Sequence, residues 1–216
     1  MPLAGRPMVA HVIDRARAIA GVHVVVAAVP DLPEDDELAA ACERSGAMVV
    51  RGPTDDVLSR YVRAADAAEA DVVVRITADC PLLSPLVSSL VLSRFDDCDY
   101  ASNTMRRTFP RGLDTEVLSG VALRAADEEA TDPVEREHVT PYIYRRPRRF
   151  RLVPVVGDDD LSHLRWTVDS PDDMAFAIAV FDALGPSFEV RDVLELLERR
   201  PEIGAINRST PQKALS

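Results

Sequence analysis

Cysteine is scarce in this sequence, and its scarcity excludes two kinds of site. The 216 residues include three cysteines, Cys42, Cys80 and Cys98, and none of them lies close to another along the chain. An odd and sparse set of this kind argues against a disulfide framework and against a zinc site built from thiolates. Unpaired thiols are typical of a reducing compartment, so we expect a cytoplasmic protein.

The sequence also lacks an excess of positive charge and any apolar run that could span a membrane. Asp and Glu number 36 against 25 Lys and Arg, which gives a formal net charge of −11. Nucleic acids bind broad basic surfaces, so we do not expect this acidic chain to bind them. No segment approaches the roughly 20 apolar residues of a membrane helix. The first residues also lack the pattern of a secretory signal peptide.

Several catalytic signatures are missing. The turn from Gly52 to Asp56 follows a predicted strand, but it lacks the repeated glycines of a P-loop or of the G-x-G-x-x-G motif. The favoured interpretation of Asp55 and Asp56 is a simple N-cap of the next helix. The segment 135–138 lacks the H-E-x-x-H spacing, which excludes zinc there. No Ser-His-Asp arrangement can be built from the spacing either.

The hydrophobic pattern that is present predicts an alternation of helices and strands. Helices are predicted over residues 7–20, 37–45, 53–70, 85–95, 121–130, 134–144, 171–184 and 190–199. Strands are predicted over residues 22–29, 47–51, 71–79, 113–118, 150–156 and 164–168, and near Tyr100. Alternation with short connections is typical of a parallel sheet with helices on both faces.

The length and composition suit one α/β domain over residues 1–216. Hydrophobic residues make up 47% of the chain, which is enough for one substantial core. We see no internal repeat and no linker, and only the polar segment 207–216 is expected to be a flexible tail. The predicted fold class is therefore α/β, with a mostly parallel sheet flanked by helices.

Two aspartates stand at the ends of predicted strands. The β-branched residues from Asp71 to Asp79 predict a strand buried on both faces, and Pro81 requires that it stop at about Asp79. Asp169 follows the predicted strand 164–168 and precedes a helix with a capping box. Ligands bind at the carboxyl ends of such strands, and two carboxylates can hold Mg²⁺ together with phosphate and water oxygens. The alternative is that each aspartate caps its following helix or turn.

Other polar residues have both a structural and a functional interpretation. Arg75 lies within a predicted buried strand, so it needs either an ion-pair partner or a phosphate, for which its planar fork is suited. The irregular loop 103–116 is either functional or a plain solvated loop. His138 is expected to be structural or to contact substrate rather than to act as a base.

Five segments, which occur in order over nearly the whole chain, resemble a known family. They are Arg51-Gly52-x-x-Asp55-Asp56-Val57-Leu58-x-Arg60-Tyr61, Arg75-Ile76-Thr77-Ala78-Asp79-Cys80-Pro81-Leu82, Ser102-Asn103 with Pro110-x-Gly112-Leu113-Asp114-x-Glu116-Val117, Thr131-Asp132-Pro133-x-Glu135-Arg136-Glu137-His138-Val139-Thr140-Pro141-Tyr142-Ile143-Tyr144, and Leu164-Arg165-Trp166-Thr167-Val168-Asp169-Ser170-Pro171-Asp172-Asp173. Together they resemble the SpsF-type cytidylyltransferases, named for spore-coat polysaccharide biosynthesis. They are similar more distantly to the CMP-sialate and CMP-Kdo synthetases.

The resemblance implies a Rossmann-like nucleotidyltransferase fold and a Mg²⁺-dependent transfer of CMP from CTP to an oxygen of a small sugar or sugar acid. It implies that Asp79 and Asp169 hold the metal, and that they form the catalytic set with Arg75. The residues implied in nucleotide binding are Arg51, Gly52, Asp55, Asp56 and Thr77. The residues implied in binding the acceptor sugar are Asn103, Asp114, Glu116 and His138.

One departure from the family concerns the start of the chain. Family members open with a strand and a loop rich in glycine and arginine, just before the segment that matches Leu3 to Pro7 here. The resemblance implies that this strand is central in the sheet and that the loop wraps the triphosphate. We therefore expect a weakened fold and poor triphosphate binding, either because the start was assigned too late or because this is a degenerate copy.

Two alternative functions and one possible partner remain open. A non-catalytic paralogue would keep the fold without the triphosphate loop. A glycosyltransferase that uses a nucleotide-sugar would need a D-x-D motif, which the loop segment Asp158–Asp160 fits by letter. The predicted helix 134–144 is the candidate contact of a homodimer.

Overall fold

The computed structural model describes residues 1–211 and confirms an α/β architecture. The strands are β1 (Pro2–Leu3), β2 (Arg6–Pro7), β3 (Val26–Pro30), β4 (Met48–Gly52), β5 (Val72–Arg75), β6 (Tyr100–Ser102), β7 (Glu116–Ser119) and β8 (Leu152–Pro154). The helices are α1 (Met8–Arg17), α2 (Asp36–Arg44), α3 (Val57–Ala67), α4 (Pro85–Ser93), α5 (Gly120–Glu129), α6 (Pro133–His138), α7 (Pro141–Tyr144), α8 (Pro171–Leu184), α9 (Val190–Arg199) and α10 (Pro201–Ala205), with a 3-10 turn at Pro33–Asp35. Among the helices of residues 1–211, none combines the length and the apolar character that crossing a membrane requires.

The longer strands form two sheets. β3 and β4 pair in parallel, with Val26 opposite Met48 and Pro30 opposite Gly52. The second sheet has the order β5-β7-β6-β8. There β5 and β6 both run antiparallel to β7, and β6 runs parallel to β8. The predicted α/β class is confirmed, and the second sheet is mixed, because β7 runs antiparallel to both of its neighbours.

An apolar cavity separates the two sheets. Within residues 1–211, β3 pairs only with β4 and β5 only with β7, so each strand has one edge without a strand partner. A cavity of about 900 Å³ lies between these edges and is lined by both strands and by side chains of α1 and α3. Unpaired edges leave backbone N–H and C=O groups without ladder partners. The cavity lies between the sheets, where the resemblance implies a central strand.

The strand predicted over 71–79 is shorter and less buried than expected. β5 ends at Arg75, and Val72 at its start is 42% exposed because one edge of the strand faces the cavity. The prediction of a strand that is buried on both faces and ends at Asp79 is therefore wrong. Asp79 lies in a turn that follows an extended segment.

The predicted helix over 134–144 is two helices. α6 ends at His138 and α7 begins at Pro141, because Val139 between them has a φ of 71° and proline cannot donate the next helical hydrogen bond. Val139 and Ile143 are fully buried in the core beneath β6. Val139 and Ile143 therefore do not face outward, and a dimer contact by the other residues of this segment stays a prediction.

The C-terminal helices pack against the loop that follows β5. Trp166 and Leu82 lie in one buried cluster with Phe176 and Phe181 of α8. Burial of each large apolar side chain contributes about 1.5–3 kcal/mol, so this cluster anchors both Asp79 and Asp169 through their neighbours in sequence. The bounds of α8 and α9 match the predicted helices.

The segment before Asp169 is not the predicted strand. Residues 164–168 make a single parallel bridge, between Arg111 and Arg165, and no ladder. The predicted flexible tail over 207–216 is also wrong at its first residue. Asn207 is 4% exposed and hydrogen-bonded, whereas residues 212–216 lie outside the described residues.

Candidate active site

Asp79 is oriented by its neighbours in the turn. Its Oδ1 accepts hydrogen bonds from the hydroxyl of Thr77 and, at 3.3 Å, from the thiol of Cys80. Burial raises the pKa of Cys80 well above its usual value, so the thiol stays protonated and can donate. No residue of 1–211 donates to Oδ2 of Asp79, and the side chain is only partly buried. One carboxylate oxygen is thus held in place and the other is available.

Asp169 lies beside this turn. The backbone N–H of Val168, the residue before Asp169, donates to the carbonyl oxygen of Asp79 at 2.8 Å, so the segments that carry the two aspartates are adjacent. The side chain of Asp169 is 25% exposed, and its Oδ2 accepts a hydrogen bond of 2.7 Å from Arg165. The structure therefore brings the two segments together, and the shared metal site stays a prediction.

A close backbone approach holds the segment before Asp169. Arg111 donates to the carbonyl of Leu164 at 3.0 Å and accepts from the N–H of Trp166 at 2.7 Å. Gly112 has a φ of +98°, and a Cβ there would lie 2.5 Å from the backbone nitrogen of Thr167. Only glycine fits this contact without displacement, because the obstructing atoms are backbone. The contact sets the path of the chain that leads to Asp169.

The capping alternative does not account for either aspartate. Ser170 is the N-cap of α8 and forms the predicted capping box with Asp173. Ser84, not Asp79, is the N-cap of α4. Neither Asp79 nor Asp169 thus caps a helix, while Asp79 is hydrogen-bonded within its own turn and Asp169 is paired with Arg165.

Asp173 anchors the charged side of the site. It is fully buried, and its carboxylate accepts six hydrogen bonds, two from Arg165, two from Ser170 and one each from the N–H of Asp169 and the amide of Asn207. Burial by itself would raise the pKa of Asp173, but the hydrogen bonds from Arg165, Asn207 and Ser170 outweigh it and lower the pKa to about 2. Asp173 is therefore an anion at neutral pH.

Arg75 is occupied by a buried ion pair. The antiparallel register sets it opposite Glu116, to which its guanidinium donates. Glu116 also accepts from the hydroxyls of Tyr100 and, at 2.6 Å, Thr140. Burial by itself would lower the pKa of Arg75, but the charge of Glu116 raises it overall. The structure shows the ion-pair alternative for Arg75, and the carboxylate predicted to contact sugar is its partner.

The loop between β6 and β7 is held by its own side chains. Asn103 is buried, donates to the carbonyl of Leu113 at 2.7 Å and accepts from the N–H of Thr115 at 2.9 Å. Asp114 accepts two hydrogen bonds from Arg107, of 2.5 and 2.7 Å. Asp114 lies near enough to the turn after β5 to help raise the pKa of the thiol next to Asp79. Among the predicted sugar contacts, the charge of Asp114 is thus felt at this turn.

The residues predicted to bind nucleotide after β4 are mostly engaged locally. Arg51 donates to Asp36 at 2.5 Å and to two backbone carbonyls. Asp56 caps α3 and pairs with Arg136 at 2.7 Å, which agrees with the N-cap interpretation. Gly52 is buried at the end of β4. Nucleotide contacts by these residues stay predictions.

Three further predicted residues differ in their surroundings. Asp55 is exposed. Thr77 contacts the carboxylate of Asp79, as described above. Nε2 of His138 is buried and has no hydrogen-bond partner within residues 1–211. The structure thus joins Thr77 to the aspartate pair and shows no contact of the other two with it.

Sequence reasoning missed four residues of the site. Arg165 and Asp173 fall inside the last matched segment but were not given a role, and the buried pairing of two opposite charges could have suggested one. Arg107 has an acidic partner seven residues later in the same loop. Asn207 carries no local signal, because its partners lie far away in sequence.

The aspartate pair offers the type of ligand that Mg²⁺ prefers. Asp79 and Asp169 each present one carboxylate oxygen that receives no hydrogen bond from residues 1–211, and both side chains reach solvent. No group of three or more His, Cys, Asp or Glu side chains in the described chain is arranged to hold a metal. The pair therefore fits Mg²⁺ as a site completed by phosphate and water oxygens.

Comparison with known proteins places the chain in a family. A family model described as cytidylyltransferase matches residues 1–179. The uncharacterized protein MJ1063 of Methanocaldococcus jannaschii is 30% identical over 99% of this chain and 89% of its own length. The spore coat polysaccharide biosynthesis protein SpsF of Bacillus subtilis is 28% identical over 82% of this chain and 76% of its own.

A solved structure agrees with these matches. A cytidylyltransferase from Leptospira borgpetersenii superposes with a TM-score of 0.88 at 25% identity, over 99% of this chain and 91% of that one. The resemblance drawn from the five motifs is thereby confirmed, and with it the nucleotidyltransferase fold. The chain belongs to the cytidylyltransferase family, as a nucleotidyltransferase of the SpsF type.

Proposed function

We propose that this protein is a Mg²⁺-dependent cytidylyltransferase that transfers CMP from CTP to a hydroxyl of a sugar or sugar acid used in surface polysaccharides. The observation that supports it most is the pair Asp79 and Asp169, which lie on adjacent segments and each offer one available carboxylate oxygen. Mg²⁺ held there would neutralise charge on the phosphates of CTP.

The proposed reaction needs mainly positioning from the protein. A hydroxyl oxygen of the sugar bonds to the α-phosphorus of CTP and loses its proton to solvent water, and pyrophosphate leaves with the electron pair of the broken P–O bond. Thr77 and Cys80 orient Asp79, and Arg165 orients Asp169. Side chains that are already fixed before the substrate binds lower the barrier because little reorganisation is left for the transition state.

Two observations support a sugar as the proposed acceptor of CMP. The relative SpsF is named for spore coat polysaccharide biosynthesis, which supports a sugar substrate. Asp114, paired with Arg107 close to the turn of Asp79, is the predicted sugar contact that the geometry favours most. Asn103 and Glu116 hold the loop and the core, so we expect them to shape the acceptor site rather than to touch the sugar.

The deciding experiment measures pyrophosphate release. Purified protein, and a version extended by any in-frame upstream coding sequence, are mixed with Mg²⁺, one nucleoside triphosphate and candidate sugar acids such as sialate and Kdo. We expect release with CTP alone among the nucleotides, and loss of release with EDTA or with Asp79→Asn or Asp169→Asn. Release that survives both substitutions would remove the metal assignment.

A non-catalytic paralogue is the second candidate, and the unpaired edges of β3 and β5 favour it. It predicts that neither protein version binds CTP at equilibrium, whereas the enzyme predicts binding by at least the extended version. The glycosyltransferase alternative has little support, because Asp158–Asp160 lies in a bend and loop rather than at the end of a strand. A cytoplasmic setting and a homodimer stay predictions.

A further inference from the structure

Asn207 lies against the same charged groups that hold Asp169. It is buried, and its side-chain amide donates to the carbonyl of Arg165 at 2.9 Å and to Oδ1 of Asp173 at 3.0 Å. It follows α10, well past residue 179, where the match to the family model ends. A segment outside that match therefore reaches the candidate active site.

Arg165 connects Asn207 to the carboxylate of Asp169. Its Nε and Nη2 bind the two oxygens of Asp173, both at 2.8 Å, and Nη2 also donates to Asp169 at 2.7 Å. Two parallel hydrogen bonds to one carboxylate fix the plane of a guanidinium. With that plane fixed, Arg165 can hold Asp169 in only one direction.

Asn207 completes the anchoring of this plane. Without its amide, the backbone of Arg165 and Oδ1 of Asp173 would each lose a hydrogen bond in a place that solvent does not reach. Oδ1 of Asp173 would then keep only the hydrogen bond from Nε of Arg165, so the carboxylate is held less firmly on that side. A shift of this carboxylate would displace the guanidinium, and with it Asp169.

We propose that Asn207 is a positioning residue, which acts through Asp173 and Arg165 to keep the free oxygen of Asp169 directed at the same ion as Asp79. The inference rests on the proposed metal site. Partners of metal ligands typically change metal affinity or activity by 10- to 100-fold when they are removed. We expect an effect of that size here.

The test uses Mn²⁺ as a spectroscopic substitute for Mg²⁺, titrated by electron paramagnetic resonance in the presence of CTP. Asn207→Leu keeps the volume and removes the donor, and we expect its Mn²⁺ affinity to fall about 10- to 100-fold. Ile203→Val is the matched control, since it loosens the packing of α10 but leaves the hydrogen bonds of Asn207 in place. Its Mn²⁺ affinity is expected to equal that of the parent.

A second measurement does not depend on metal. The ¹⁵N signal of Arg165 Nε–H is expected to exchange slowly in the parent and in Ile203→Val, and to broaden in Asn207→Leu. An unchanged Mn²⁺ affinity in a folded Asn207→Leu variant would overturn the inference. If the parent binds no Mn²⁺, or if Asp169→Asn does not remove that binding, the proposed metal site is wrong instead. In that case an unchanged Arg165 signal in Asn207→Leu would by itself overturn the positioning role.

Discussion

The region between β3 and β5 and the region around Asp169 satisfy their polar groups in opposite ways. Around Asp173 each oxygen of a buried carboxylate has several donors from nearby and distant parts of the chain. Between the sheets, two strand edges face an apolar cavity without a strand partner among residues 1–211. The comparison teaches that the ligand geometry depends on the start of α8 and its neighbours, not on continuity of the sheet. We therefore expect the sheet to unfold before the region around Asp169 does.

Removing the guanidinium group of Arg165 is expected to have the largest effect on stability. Arg165→Leu leaves the buried carboxylate of Asp173 without its main partner, so the free energy of unfolding should fall by about 3–5 kcal/mol. Urea denaturation followed by circular dichroism measures this change. Arg191→Leu is the control, because it breaks an exposed pair with Glu195 and should change little. Equal losses in the two variants would contradict the comparison.

Filling the cavity is expected to stabilise the other region. A peptide of five β-branched residues, flanked by lysines for solubility, can pair with both free edges and bury its side chains. For a chain of this size, each kcal/mol of stabilisation raises the melting temperature by about 2–4 °C. Calorimetry with the peptide measures the shift.

The control peptide carries proline at its centre, which removes a donor from the ladder. Equal shifts with both peptides would show that strand pairing is not the cause. No shift with either would mean that the free edges are not open to a strand.

The pH dependence of stability should separate a buried carboxylate from an exposed one. Asp173 has a pKa lowered to about 2, below that of a carboxyl in the unfolded chain, so it stabilises the fold above about pH 4 and loses this contribution as the pH falls toward 2. We expect about 2 kcal/mol of acid-dependent stability to be absent in Asp173→Asn.

Glu129 supplies the matched control. Its pKa is also lowered to about 2, by hydrogen bonds from Arg149 and Tyr142, but its side chain is exposed to solvent. Glu129→Gln should therefore change the acid transition much less than Asp173→Asn does. Similar acid profiles for the two variants would contradict the role given to burial.

The smallest expected effect concerns a residue predicted to bind nucleotide. Asp56 caps α3 through the N–H of Ser59, so Asp56→Ala should lower the free energy of unfolding by about 1 kcal/mol. Asp56→Ser should restore part of the cap. If Asp56 is only a cap, both variants keep the CTP affinity of the parent in isothermal titration. Weaker CTP binding by Asp56→Ser at full stability would assign the residue to the nucleotide site.

Local signals in the sequence predicted the helices next to the site well. The capping box that begins at Ser170, and the bounds of α8 and α9, depend on residues within one or two turns of each other. The prediction was wrong where the structure of a segment depends on pairing with another segment of the chain. Residues 164–168 look like a strand by composition, but a strand needs a ladder, and this segment finds only the single bridge to Arg111.

The sequence by itself determined the family and the α/β class, and it singled out the two aspartates that lie within the matched motifs. The tertiary structure decided which charges meet. Arg75 pairs with Glu116 because two strands come into register, and Asn207 reaches Asp173 because α8, α9 and α10 pack together. A motif records residues that are close along the chain. The partner of a buried charge depends on segments that only the folded chain brings together.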